Sequence, residues 1–173
     1  MSRPERALLL ALLLGAAPPA IPASFPPELR FRTLATPEAV VHYHAGLETT
    51  ARVAAAIATE VMHALEKRYG VEVRPVHVVI ADTTDDPSGF ATPLPYPLVH
   101  IRAVGPDGTD EFGNHDGWLR LVLTHELAHI VHLDQAHGLV RAGRKVFGRA
   151  PFFFPNALTP TWMIEGLATY EET

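Results

Sequence analysis

The chain has 173 residues, 47% of them apolar and 19% charged, a length and composition typical of one globular domain. It contains no cysteine, which excludes disulfides, thiolate metal sites and cysteine nucleophiles, so any metal must be held by His and carboxylate side chains. The formal net charge of -5 argues against nucleic acid as a partner and against membrane binding by the mature domain.

The N-terminal segment has the layout of a secretory signal peptide. Arg3 and Arg6 give a basic start, and the apolar run over 7–17 is shorter than the roughly 20 residues of a spanning helix. Small and Pro-rich residues follow, with a cleavage point after Ala23. We therefore predict a signal peptide over 1–23 and export to the periplasm or the extracellular space. An uncleaved membrane anchor is the alternative, and it also predicts export.

The mature domain, residues 24–173, alternates between strand and helix patterns. In chain order the sequence first predicts an extended lead-in over 24–37, a strand over Ala39–His44 and a helix over Glu48–Tyr69 that Gly70 ends. Two more strands follow, Pro75–Ala81 and Leu98–Val104, separated by a loop over 82–97 and followed by a loop over 105–115. The rest is a helix from Asp116 to about Gln135, an irregular segment over 141–156 with at most one helical turn, and a last helix from Thr159-Pro160. This order predicts an α+β fold, with a small mixed sheet packed on two long helices.

The segment THELAHIVHL, residues 124–133, carries the strongest chemical signal. His125 and His129 are four residues apart on one helix face, so both can bind one metal ion through neutral nitrogens. Glu126 follows at once, where it can take a proton from a metal-activated water. This is the HExxH arrangement of metal hydrolases. Core histidines without a metal are the alternative, but burying such groups without partners is costly.

A catalytic zinc site needs a third protein ligand and one open position. The metzincin pattern would place a His where the chain has Gln135. His132 lies on the same stripe as His125, seven residues away, and either supports a ligand residue from behind or is another helix residue that faces the cleft. A direct ligand role for His132 is the lesser alternative. Glu165, on the last helix, is the other candidate, and from periodicity alone it is as consistent with a solvent-facing glutamate.

The neighbours of Glu165 carry further expectations. Small Gly166 and Ala168 would let the last helix approach the HExxH helix, while Trp162, Ile164 and Leu167 would face the core. Glu171 and Glu172 would face solvent, as on an amphipathic helix. The Phe152–Phe154 run is expected to pack in the core rather than wall the cleft.

The blocks HELAHIVHLDQ and P-x-W-x-x-EGLATYEE resemble the gluzincin metallopeptidases of clan MA. They resemble in particular the N-terminal peptidase-like domain of exported bacterial proteins that continue into β-propeller repeats. The resemblance runs from about Val40 to the end and implies a zincin-like fold and zinc-dependent peptide hydrolysis. It implies one Zn²⁺ per chain bound by His125, His129 and Glu165, with Glu126 as general base.

The resemblance also implies a peptide or protein substrate and a downstream β-propeller domain as a further partner. It places an extended substrate along Leu98–Arg102 as the edge strand, with Leu98, His100 and Arg102 as substrate-binding residues. Relatives continue past the third ligand, so we expect the peptidase domain to be cut short at its C-terminal end.

Two departures from the family pattern stand out. His129 and Glu165 are 36 residues apart, against roughly 20 in many His₂Glu relatives. The acid that orients a zinc-bound His in many relatives would fall at Thr169, so that role is unassigned.

The alternative function is a catalytically weak or inactive zinc-stabilised module that supports a propeller domain, although such a module has no need of Glu126. A structural domain without metal is the remaining hypothesis.

Overall fold

A five-stranded mixed sheet and two long helices form the framework of the protein. The computed structural model describes residues 25–83, 88–103 and 115–173. Its strands are β1 (Phe31–Ala35), β2 (Ala39–His44), β3 (Val76–Ala81), β4 (Ser88–Thr92) and β5 (Leu98–Arg102), and its helices are α1 (Glu48–Tyr69), α2 (His115–Asp134), α3 (Gly138–Phe147) and α4 (Thr161–Glu171). Two short 3-10 turns, Pro151–Phe153 and Pro155–Leu158, lie between α3 and α4. The predicted α+β class is confirmed.

The strands are arranged in the order β1-β2-β3-β5-β4. β2, β3 and β5 run parallel, and antiparallel β1 and β4 flank them. Helix α1 makes the crossover that a parallel pair such as β2 and β3 requires. β5 lies between β3 and β4, so the prediction that Leu98–Arg102 is the edge strand is wrong, and β4 forms that edge. The error arose because β5 follows β4 in the chain but inserts beside β3.

One face of the sheet packs against α1 and α2 and forms the core. Alternate strand residues such as Val41, Val78 and Ile101 are fully buried there. Helix α1 faces the core with eight buried residues, half of them alanines (Ala51, Ala54, Ala55 and Ala58) and half of them larger (Ile57, Val61, Met62 and Leu65). Helix α2 contributes large ones, Leu119, Leu123, Leu127, Ile130 and Val131. The small residues of α1 leave room for α2, which is apolar on most of its sides.

The elements with strong hydrophobic periodicity agree with prediction. β2 and α1 have the predicted bounds, and Gly70, with φ of 63°, ends α1 in the left-handed conformation that favours glycine. β3, β5 and α2 differ by one or two residues at an end. The last helix begins at Thr161, one residue after Pro160.

Three elements were missed. The lead-in contains β1, and the loop over 82–97 contains β4. Helix α3 begins at Gly138 and extends into the segment over 141–156, for which the sequence predicted no more than one helical turn. None of the three has a buried residue. β1 and β4 are only five residues long, and α3, although amphipathic, does not bury its apolar residues, so none of the three has an apolar face in the core.

Parts of the sequence prediction fall outside the described residues. The signal peptide over 1–23 and most of the loop over 105–115 are among them. Among the helices that are described, none is long and apolar enough to cross a membrane.

Candidate metal centre

Helix α2 brings the two motif histidines together on one face. The rings of His125 and His129 are nearly perpendicular, with centroids 4.6 Å apart. Their Nε2 atoms are 3.1 Å apart. Burial lowers the pKa of His129, and the neighbouring His125 adds to this. The low pKa favours the neutral imidazole, which is the form that binds metal ions.

Glu165 on α4 completes a cluster of three ligand atoms. Its Oε2 lies 3.3 Å from the Nε2 of His125 and 3.6 Å from the Nε2 of His129. Atoms bound tetrahedrally at 2.0–2.1 Å from one ion are about 3.3 Å from each other. The three observed separations are close to that value, so the residues fit a single divalent cation. Within the described residues, no second group of His and carboxylate side chains converges in this way.

Helix α4 packs against the core through only some of the residues predicted for this role. Ala168 is buried and packs into the core cluster, as expected. A Cβ at Gly166 would meet nothing within 4 Å, so this glycine is not needed for close packing. Trp162 is exposed rather than core-facing. The Phe152–Phe154 prediction holds only for Phe154, because Phe152 is exposed.

The expectation that Glu171 and Glu172 face solvent is wrong. The Glu171 side chain is 4% exposed and accepts hydrogen bonds from the Tyr69 hydroxyl and the Arg68 guanidinium, both at 2.8 Å. Through these contacts α4 is fastened to the end of α1.

Glu172 supplies the missing partner of a ligand histidine. Its Oε1 lies 2.5 Å from Nδ1 of His125, and its side chain is 18% exposed. Bonding at Nδ1 leaves Nε2 directed at the cluster, and a carboxylate in this position fixes the ring orientation and tautomer of a ligand histidine. The family pattern placed such an acid at Thr169. The sequence did contain a signal, because Glu172 lies seven residues, or two helical turns, after Glu165 and so shares its helix face.

Glu126 is buried between the motif helix and the edge strand. Burial raises the pKa of its carboxyl to about 7; His125 opposes this rise and the Glu165 carboxylate adds to it. A Cβ at Gly89 on β4 would overlap Glu126 Oε1 and lie 2.9 Å from its Cγ. The edge strand therefore reaches Glu126 closely because it has no side chain at this position.

The other residues singled out from the sequence lie outside the cluster. His132 is not among its ligands. Val99 and Ile101 are buried beneath the helices, so the alternating residues Leu98, His100 and Arg102 occupy the opposite face of the sheet. Since β5 is also internal, the geometric basis for assigning these three to substrate binding is lost.

Comparison with known proteins adds no assignment. No family model matches the chain, and no curated protein or solved structure shows detectable similarity to it.

Proposed function

We propose that the chain is a zinc-dependent peptidase with a zincin-like arrangement of sheet and helices, exported through residues 1–23. The observation that carries the proposal is the convergence of His125, His129 and Glu165 at the spacing of one tetrahedral ion. Glu126 beside this cluster and Glu172 behind it supply the base and the orienting carboxylate that a hydrolytic site needs.

Zinc is the metal that the donor set favours. Two neutral imidazoles and one carboxylate, without thiolates, match the three protein ligands of catalytic zinc sites, which leave a fourth position for water or substrate. The exposed side of Glu165 keeps the cluster open to solvent. When bound, zinc polarises a substrate carbonyl and lowers the pKa of water in the open position.

Glu126 is assigned the proton transfers. Its carboxylate takes a proton from the attacking water and returns it to the leaving amine of the peptide. In the metal-free site, burial raises the pKa of this carboxyl to about 7. A cation at the cluster would pull this pKa down, because nearby positive charge favours the carboxylate.

The edge strand β4 offers a place for an extended substrate. One side of β4 pairs with β5, and the other has no strand partner among the described residues. A peptide that pairs with this free side adds a strand to the sheet by backbone hydrogen bonds. Gly89 would hold such a peptide next to the Glu126 carboxylate. We therefore assign β4, Ser88–Thr92, as the strand of the protein that pairs with the substrate peptide.

A zinc count and a hydrolysis assay test the proposal together. Elemental mass spectrometry of the chain from Ser24 onward should give about one zinc per molecule. Glu165→Ala should lose it, and Glu72→Ala, at an exposed carboxylate elsewhere, should not. Glu126→Gln should keep the zinc and lose peptide hydrolysis.

Three outcomes would redirect the assignment. A folded wild-type chain that binds no zinc would contradict the metal centre. Zinc without hydrolysis, in a chain that includes any downstream domain, would favour the zinc-stabilised supporting module. An N-terminus that starts at Met1 in protein recovered from the periplasm or medium would contradict cleavage after Ala23.

A further inference from the structure

The segment between the two ligand-bearing helices differs in charge from the rest of the chain. Residues 135–164 contain four bases, Arg141, Arg144, Lys145 and Arg149, and no acidic residue. With His neutral, this segment has a formal charge of +4 within a chain of -5, which leaves -9 for the rest. Arg144 and Arg149 both pair with the Asp134 carboxylate at 2.9 Å, so the exposed positive charge of the segment comes from Arg141 and Lys145.

The same segment exposes much of the apolar surface of the protein. Of the eleven large hydrophobic residues that are exposed in the described part of the chain, seven come from 139–163. Leu139 is 91% exposed, and Val146 and Phe147 of the same helix are largely exposed. Phe152 packs on Phe153 at 4.4 Å between ring centroids, and Phe147 stacks on Phe153 at 6.1 Å. These contacts join helix α3 and the following turn into one apolar patch.

Helix α3 is fixed to the body in a way that leaves this patch outside. Arg144 donates hydrogen bonds to the Asp134 backbone carbonyl at 2.7 Å and to its carboxylate at 2.9 Å. It also donates to the Phe153 carbonyl at 2.8 Å. A Cβ at Gly143 would overlap the Phe153 ring, so α3 lies directly on it. The contacts with the body come from Gly143 and Arg144, and α3 has no buried residue.

The exposed residues of α3 form two strips. Arg141 and Lys145 are four residues apart and share one side of the helix, and both are exposed. Leu139 and Val146 are seven residues apart and share another side. The name α3 surface is used here for six exposed residues: Leu139, Arg141, Lys145, Val146, Phe147 and Phe152. A short helix with an apolar strip on one side and a basic strip on another is the arrangement of helices that lie in the interface of a bilayer.

We propose that the α3 surface binds the headgroup layer of an anionic phospholipid bilayer. The apolar strip would enter the boundary between headgroups and acyl chains, and Arg141 and Lys145 would contact lipid phosphates. Charge complementarity favours this occupant over a second copy of the chain, because a symmetric dimer through this surface would bring the exposed Arg141 and Lys145 of one copy close to the same bases of the other. Membrane binding through this surface would differ from the expectation, based on the net charge of -5, that the mature domain does not bind membranes. It does not require a metal ion at the cluster of His125, His129 and Glu165.

Vesicle co-sedimentation tests the proposal on the mature chain. The protein should sediment with vesicles of phosphatidylcholine mixed with phosphatidylglycerol and remain in the supernatant with phosphatidylcholine alone, and added salt should release it. Each base near an anionic surface contributes about 1 kcal/mol, so Arg141→Glu and Lys145→Glu should each weaken binding about fivefold or more. Leu139→Ser combined with Val146→Ser should also weaken it.

Matched controls separate this surface from general effects of charge and hydrophobicity. Arg52→Glu and Lys67→Glu make the same charge change at exposed positions of α1, and Phe90→Ser removes an exposed aromatic from β4. All three should bind as the wild type does. Absence of sedimentation with anionic vesicles would overturn the proposal. So would equal binding to both vesicle types, equal losses in the controls, or a dimer in solution that Val146→Ser dissociates without any vesicle binding.

Discussion

Substitution of Glu172 tests the metal centre at a residue that does not itself bind the ion. Its carboxylate lies 2.5 Å from Nδ1 of His125 and is mostly shielded from solvent. Loss of such a partner typically lowers metal affinity 10- to 100-fold, which corresponds to about 1.4–2.8 kcal/mol. Because the contact is short and shielded, we expect Glu172→Ala at the upper end of this range. Glu172→Gln keeps an acceptor for Nδ1 but removes the charge, so we expect it at the lower end.

The assay is a competition for zinc against a chelator of known affinity at fixed pH. The unfolding free energy of the metal-free variants is measured beside it, so that a loss of folding is not read as a loss of affinity. Glu171→Gln serves as the matched control, because it changes the adjacent glutamate, which contacts Tyr69 and Arg68 instead of His125. A folded Glu172→Ala protein that binds zinc within about threefold of the wild type would refute an orienting role for Glu172.

Three further predictions concern residues outside the cluster: Gly89 beside Glu126, Tyr69 against Glu171, and His42 on the other face of the sheet. Gly89→Ala should lower peptide hydrolysis at least about tenfold with zinc retained, since the new Cβ overlaps Glu126 Oε1. Gly166→Ala is the control, because a Cβ at Gly166 meets no other atom. Equal hydrolysis by the two variants would contradict the close approach of β4 to Glu126. Tyr69→Phe should lower the free energy of unfolding by about 1 kcal/mol in chemical denaturation by removing the hydrogen bond to Glu171; an unchanged midpoint would argue against this contact. Burial and the neighbouring His77 lower the pKa of His42 below 6.5 in the folded protein. As the pH drops through about 6.5, the unfolded protein therefore binds a proton at His42 before the folded protein does, and the free energy of unfolding should fall. His42→Gln should show a smaller fall between about pH 7.5 and 5.5, and parallel curves would exclude His42 as a cause.

The sequence predicted the buried elements of the fold better than the exposed ones. Helix α1 and strand β2 carry their apolar residues on one face, and their predicted bounds agree with the structure. β4 and α3 bury none of their residues and are stabilised by pairing with β5 and by contacts such as those of Arg144. Such contacts join distant parts of the chain, and no local pattern records them.

The candidate site shows the same division. His125 and His129 were found because their spacing on one helix brings them together in any fold that keeps the helix. Glu165 required a second helix to pack at the right place, and its ligand role rested on the family resemblance. The edge strand was assigned to β5 because strand order depends on pairing across the sheet, which the sequence of β4 and β5 does not reveal.

The placement of the ligands on α2 and α4 has a consequence for the unfolding of the protein. A cation held by His129 and Glu165 closes a loop of 36 residues that contains α3 and both 3-10 turns. An ion that binds only the folded state raises stability in proportion to the logarithm of its concentration, once that concentration exceeds the dissociation constant. The melting temperature should therefore rise with free zinc. Removal of zinc should first loosen α4 and the turns before it, and leave the sheet and α1 in place.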